Sequence, residues 1–518
     1  MQFDTLYPIY TKYIMPGDTI SISEKIMARL QTQGWILYDD LYLDVHAWFV
    51  PHRLTQENWA RYQFNAQPLG PTQDNSALHA PIYTMPSEGT VVFPSKSIYD
   101  YLGLPVNVPM GTVDPTLGPQ KINTYAERAY KLVWNENYRD ENLQDAVSIS
   151  FGDGPDPISN TGSLGLLKRG KRHDKFTSAL PFLQKGPAAS IPIGGTAPVL
   201  RTSNAEPWQA FNANSNTLAG PSTGSGKVGM VINGISGQVN NDANSGGITP
   251  ISLDPGNFGL YADLGLANAI TVNQLRQSIV VQHLLEADAR GGTRDVESIQ
   301  HRWGVTVPDF RLQRPEYLGG QTFSFDGHVV PQTSASTDDS PQANLAQFSQ
   351  TLTSMNINHS FVEHGIFMIL LSARSNMTYQ QGLEKPYSYY TRFDWYQPEF
   401  ANIGEVAIKN KEVLCAFDAD DDDAWGYNEY GYELRYEENM VTAEMRSNYA
   451  QSLDMKHMAY DFASRPVLGP AFIQSATPIG RNIAVQVELA DPIELNMLTL
   501  GKIARTLPMY SVPGLYRL

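Results

Sequence analysis

Leu41-Tyr42-Leu43-Asp44-Val45-His46-Ala47-Trp48-Phe49 sets an apolar side chain at every second position. Successive side chains of an extended chain point to opposite faces, so Leu41, Leu43, Val45, Ala47 and Phe49 line one core-facing side of a strand. Pro51 stops the run. Ile483, Val485, Val487 and Leu489 repeat the alternation, with Gln486 and Glu488 on the other face and Pro492 as the end. Residues 366–371 are apolar on both faces, the pattern of a central strand covered on each side.

Helical patterns are few. Residues 124–138 place Tyr125, Ala129, Leu132 and Val133 on one stripe. Thr271 followed by Gln274 is a capping-box signature, and the helical pattern it opens runs to Arg290, where Gly291 and Gly292 break it. A second short helix is expected from Thr293 through Val296, Ile299 and Trp303 to Gly304. Because these helices do not alternate with the strands, a parallel sheet with crossover helices is excluded in favour of an all-β class.

The chain has 518 residues, 42% of them hydrophobic, which is enough for a sizeable core; 41 Gly and 34 Pro commit much of it to turns and loops. A net charge of -16 argues against a surface that grips nucleic acid everywhere, since phosphate contact needs a local Lys/Arg excess. One cysteine, Cys415, excludes an intramolecular disulfide framework and a cysteine zinc cage, and reads as a small buried apolar side chain in a reducing cytoplasm. The first 30 residues carry Asp4, Lys12, Asp18 and Glu24 without an apolar stretch, so no secretory signal is expected, and no apolar run is long enough for membrane insertion. Residues 202–258 differ in kind: they are rich in Asn, Ser and Gly and read as a surface insertion from one domain rather than a linker between two.

Several motifs invite chemistry and fail on spacing. GPSTGSGKV (220–228) has one residue too many for a phosphate loop, and Val228 stands where magnesium needs a hydroxyl. Asp418, Asp420, Asp422 and Glu429 fall at positions 1, 3, 5 and 12 of an EF-hand loop, but Asp423 occupies the position that demands Gly. The solvated acidic turn is the preferred reading, and a cation shared between subunits the alternative. The two helices around Gly291-Gly292 have helix-turn-helix spacing, yet Asp295 and Glu297 suit packing better than a DNA groove. There is no HExxH and no nucleophile elbow set between a strand and a helix, and His46, beside Asp44, reads as hydrogen-bonded rather than basic. Asp394, Glu399 and Glu405 support a rival reading, a carbohydrate-active β-sandwich enzyme, with a non-catalytic sugar-binding module as a third. Lys168, Arg169, Lys171, Arg172 and Lys175 make the one dense basic strip, a candidate for contact with DNA.

Longer blocks carry a resemblance. MPGDTISIS (15–23), LDVHAWFVPHRL (43–54), RAYKLVWNENYRDENL (128–143), KRGKRHDKFTSALPFLQKG (168–186), TVNQLRQ (271–277), LLEADARGGTR (284–294) and GVTVPDFRLQRPEYLGG (304–320) are followed in order by MTYQQGL (377–383), ANIGE (401–405), SNYAQSLD (447–454), DFAS (461–464) and PMYSVPGL (508–515). Together they are similar to the major capsid proteins of microviruses, small tailless single-stranded DNA phages, and in particular of the gokushovirus branch. The resemblance implies one domain over residues 1–518: an eight-stranded antiparallel jelly roll with long interstrand loops and a few short helices. It implies self-assembly into a T=1-like icosahedral shell around circular single-stranded DNA, without enzyme activity or cofactor. The insertion between Thr202 and Phe258 would then rise near the threefold axes and meet a host-surface receptor. A small basic DNA-binding protein and other phage structural proteins are the implied partners, with assembly in the bacterial host cytoplasm and residence in the virion. The chain departs from the family in ending Tyr516-Arg517-Leu518 and in having little basic arm before its first shared block.

Overall fold

A computed structural model of the chain describes residues 1–64, 66, 75–113, 119–158, 165–187, 199–201, 211–212, 230–232, 239–241, 251–252, 260–262, 272–291, 297, 300–301, 303–304, 313–324, 329–331, 333, 336–338, 342, 345–348, 351–484 and 490–505. The described chain is mostly antiparallel β-structure. Its principal strands are β1 (Tyr7–Ile14), β2 (Thr19–Leu30), β3 (Leu41–Pro51), β4 (Glu316–Ser324), β5 (Thr351–Ser360), β6 (Gly365–Ser375), β7 (Glu405–Lys409), β8 (Ala424–Glu429) and β9 (Ile493–Ala504). Two helices matter most, α1 (Tyr125–Asn137) and α2 (Val272–Gly291).

Four strands join in the order β1-β6-β3-β4 and three in the order β5-β2-β9. The alternation of β3 does what its period requires. Leu41, Leu43, Val45, Ala47 and Phe49 meet Phe367, Ile369, Leu371 and Ala373 of β6 and the inward residues Ile20, Ile22, Ile26 and Ala28 of β2 in one core between the sheets. The opposite face of the four-stranded sheet is buried too. Trp48 and Val50 of β3 and Ile366, Met368 and Leu370 of β6 pack on Tyr125, Ala129, Tyr130 and Val133 of α1. This double covering is why residues 366–371 are apolar throughout: β6 lies between β1 and β3 and every residue from Gly365 to Ala373 is buried.

A third core, around Phe176, Tyr379, Trp425, Tyr460 and Phe472, is built from long loops and the hairpin β7-β8. Of the expected strand at 483–489, Ile483 makes one bridge to Gln33 and 485–489 lie outside the described residues; the C-terminal strand that joins a sheet starts after Pro492. Helix α2 follows the expected pattern; its cap Thr271 and most of the helix expected after Thr293 lie outside the described residues.

The chain divides into two compact units, residues 1–183 with 289–518, and residues 184–288. Within the second, Val199–Arg201 pairs with Leu260–Ala262, Phe211–Asn212 with Ile251–Ser252, and Met230–Ile232 with Val239–Asn241. The three pairings are nested, each inside the last, so this stretch doubles back on itself. GPSTGSGKV and the rest of 202–258, apart from these paired segments, lie outside the described residues.

Candidate assembly and nucleic-acid-facing surfaces

The basic strip crosses the polar end of the four-stranded sheet. Thr5 bridges Lys168, the Arg169 amide donates to the Asp4 carbonyl at 2.8 Å, and the Lys171 amide donates to Ile473 at 2.9 Å. The segment is therefore stitched between the N-terminus and residues 470–475, and its side chains divide accordingly.

Arg169 points at the sheet. Asp44, Ser372 and Thr322 sit opposite one another on β3, β6 and β4. Arg169 Nη1 donates to Asp44 Oδ2 at 2.7 Å and to Ser372 Oγ at 3.0 Å, Thr322 Oγ1 donates to Asp44 Oδ1 at 2.6 Å, and Arg374 Nε lies 2.6 Å from Asp44 Oδ2. Burial alone would raise the Asp44 carboxyl, but the two guanidinium groups and the Thr322 hydroxyl outweigh it and hold it below its ordinary value. His46, two residues on, contacts the Tyr138 hydroxyl at 2.6 Å, and burial, with Arg169 adding to it, pushes the imidazole down to about 4. That ring is neutral near pH 7 and part of the packing, as the sequence led one to expect.

Lys171 is 9% exposed and stands in a box of aromatic rings, 3.8 Å from the centre of Phe472 and 4.3 Å from that of Tyr460, with Tyr379 and Phe462 beyond. Burial pulls its ammonium down to about 8, against the opposing pull of Asp174 and Asp4. Lys175 is 5% exposed and ion-paired to Glu438 and, at 3.7 Å, to Glu412. The expectation of one solvent-facing cationic strip is corrected at these two residues: their ammonium groups are consumed inside the third core and do not reach a phosphate at the surface. Arg172 lies 4.2 Å over the Tyr42 ring and is partly exposed, while Lys168 is exposed.

The acidic turn is likewise occupied by the chain's own cations. Asp418 caps a short 3-10 helix, Ala419–Asp422, by accepting the Asp420 amide. Arg465 bonds Asp418 at 2.9 Å and Asp421 at 2.6 Å, and Lys409 and Lys411 both reach Asp422, at 2.8 and 2.9 Å. Glu429, on β8, pairs instead with Arg290 and Arg435. The residues at EF-hand spacing are thus not brought together as a ligand set: among the described residues no group of three or more carboxylate, His or Cys side chains is placed to hold a metal ion. Cys415 is half-buried, not sealed in a core, with its thiol 3.5 Å from Asp421.

Two of the three acids of the rival enzyme reading, Asp394 and Glu405, do structural work. Asp394 accepts from the amide of Tyr390 and the hydroxyl of Thr391, at 3.0 and 2.9 Å, closing a surface turn. Glu405 is paired to Arg290, and Glu399 sits in the short 3-10 helix Pro398–Phe400 on the surface. Around this turn and along the loops of the third core, large apolar side chains stand in solvent, among them Tyr387, Tyr390, Phe417, Met440 and Val467. No helix among the described residues is long and apolar enough to cross a membrane.

A sandwich wrapped in ordered loops, with catalytic-looking acids bound up in turns and much apolar surface left uncovered, is the construction of a subunit that completes itself by assembly. The family model described as "Capsid protein (F protein)" matches residues 1–515. Capsid protein VP1 of Bdellovibrio phage phiMH2K is 42% identical over 489 residues, covering 93% of this chain and 87% of that one. Capsid protein VP1 of Chlamydia phage 1 is 36% identical over 572 residues, 99% and 93% of the two chains, and that of Spiroplasma virus 4 is 31% identical over 542 residues, 99% and 92%. The chain belongs to this capsid protein family and is a major capsid protein of the microvirus type, a structural subunit and not an enzyme.

Proposed function

We propose that sixty copies of this chain close a T=1 icosahedral shell around circular single-stranded DNA, and that the two facing sheets belong to an eight-stranded jelly roll. The observation that carries the shell reading is the uncovered apolar surface of the long loops, which stays in solvent in the isolated subunit and is buried once copies meet. The fold reading is supported by the antiparallel layering of four strands on three over a common core.

In this reading Lys168 and Arg172 are the members of the basic strip that meet packaged DNA, because they keep solvent exposure while Lys171 and Lys175 do not. With Lys171 and Lys175 buried and a net charge of -16, a small basic protein supplies most of the neutralising charge inside, and other phage structural proteins complete the particle. The residues between Thr202 and Phe258 form a protrusion at the threefold axes that meets a host-surface receptor; their nested pairing and their small polar composition support an outward excursion. Assembly takes place in the bacterial cytoplasm. Nuclease treatment of purified particles tests the enclosure: recovery of intact circular single-stranded DNA is the expected result, and particles without protected DNA would overturn it.

A further inference from the structure

We infer that residues 387–403 form a preorganised docking platform for a second copy of this chain, anchored by Tyr390 and Trp395. The inference rests on the shell reading and adds a specific contact to it.

The stretch YSYYTRFDWYQPEFANI is unusual in both composition and placement. Tyr390 is 95% exposed, Tyr387 77%, Ile403 60%, Trp395 58%, Phe393 57% and Tyr396 41%. Taking roughly 200 Å² for each fully exposed side chain of this size, these fractions amount to about 800 Å², which is about what one partner contributes to a standard protein interface.

The rings are held in place rather than left loose. Asp394 fastens the turn through Tyr390 and Thr391, and the Tyr430 hydroxyl accepts the Gln397 amide at 2.8 Å. Tyr389 packs on Trp395 with ring centres 4.9 Å apart, and Tyr396 stacks on Tyr430 at 5.2 Å. Lys385 and Tyr389 are tied to Glu433 at 3.1 and 3.2 Å. A surface whose aromatic side chains are fixed before binding loses little entropy on docking.

Charge decides the kind of partner. Between 387 and 403 the only base is Arg392, stacked 4.5 Å from the Phe393 ring, and the acids are Asp394 and Glu399. A face that stacks bases of single-stranded DNA needs a cationic groove beside its aromatics, and this one has a slight negative excess. Tyr, Trp, Phe and Arg with few other charges is instead the composition of a protein interface core. Copies of a capsid protein must touch, and the platform offers one side of a standard contact.

The test compares the full-length chain with Tyr390→Ser/Trp395→Ser and with Asp394→Ala, which leaves the rings but loosens the turn. Assembly is followed by light scattering against subunit concentration, folding by circular dichroism of the unassembled subunit, and DNA content by the absorbance ratio of purified particles. The expected result is a native spectrum for both variants, a threshold concentration for assembly raised about tenfold or more by the double substitution, and a smaller rise for Asp394→Ala. Unchanged thresholds in both variants overturn the platform. So does a normal threshold with depleted DNA, which would assign the rings to nucleobases. Wild-type protein that never assembles contradicts the shell reading itself, and the platform with it.

Discussion

Arg169 and Asp44, 125 residues apart in sequence, meet at 2.7 Å on the outer side of the four-stranded sheet, with the Asp44 side chain fully buried. The pair turns a cation that charge density alone assigns to DNA into a clamp between a loop and β3. Removing one partner of a buried pair leaves the other charge uncompensated. Arg169→Ala is therefore expected to destabilise the subunit by about 3 kcal/mol, the low end for such pairs because Arg374 remains beside Asp44. Denaturant unfolding of the unassembled subunit measures it; an unchanged midpoint would show that the clamp contributes nothing.

His46 makes the same region sensitive to acid in a defined window. Its folded value near 4 lies below the ordinary 6.5, so between those pH values the unfolded chain takes up a proton that the folded one refuses. Stability falls as pH drops from 6.5 towards 4, by up to about 3 kcal/mol from this residue. Asp44, held below its ordinary value, contributes stability that is present above about pH 4 and is lost only at lower pH. His46→Gln should flatten the upper part of the profile and leave the steep acid loss below it; an unaltered slope between pH 6.5 and 4 would contradict the assignment.

The division of the basic strip is testable by substitution. Lys168→Ala/Arg172→Ala is expected to lower the DNA content of purified particles, whereas Lys171→Met, which keeps a flexible apolar stem in the aromatic box, leaves DNA content unchanged. Its cost in stability is within about 1 kcal/mol, because the lost cation–π contacts are offset by the relief of a buried charge. The absorbance ratio of the particles reads both; DNA loss with Lys171→Met alone would restore the undivided strip.

The acidic turn should be indifferent to divalent cations. With Arg465, Lys409 and Lys411 already on its carboxylates, millimolar calcium or a chelator is expected to shift the unfolding temperature by less than about 1 °C, since a ligand stabilises only a state it binds. A calcium-dependent rise of several degrees would reopen the site.

How much of this was legible depended on whether neighbours in space were neighbours in sequence. Strands β3 and β6 could be read from periodicity because their inward rows are unbroken. Strands β2 and β9 could not. Glu24 interrupts the inward row Ile20, Ile22, Ile26, Ala28 of β2, and Thr499 interrupts that of β9; the two stand opposite each other, and Thr499 Oγ1 donates to Glu24 Oε2 at 2.7 Å. Each break looks like noise in one strand and is satisfied only by the other. Leu498 and Leu500, exposed on the outer face of β9, blur its alternation further. The fate of the basic strip was hidden for the same reason: the partners of Arg169 and Lys175 lie on β3, on β6 and near Glu438, and the rings around Lys171 come from residues 379–472.

The central claim is that this chain works as a closed shell of copies. Sedimentation of the purified assembly, with the nucleic-acid share of the mass read from the absorbance ratio and subtracted, measures it most directly. The expected particle has a protein mass of about 3.5 MDa, sixty chains of 57.5 kDa in one closed point group. A monomer, a small ring or an open filament under conditions where the subunit is folded would contradict the account.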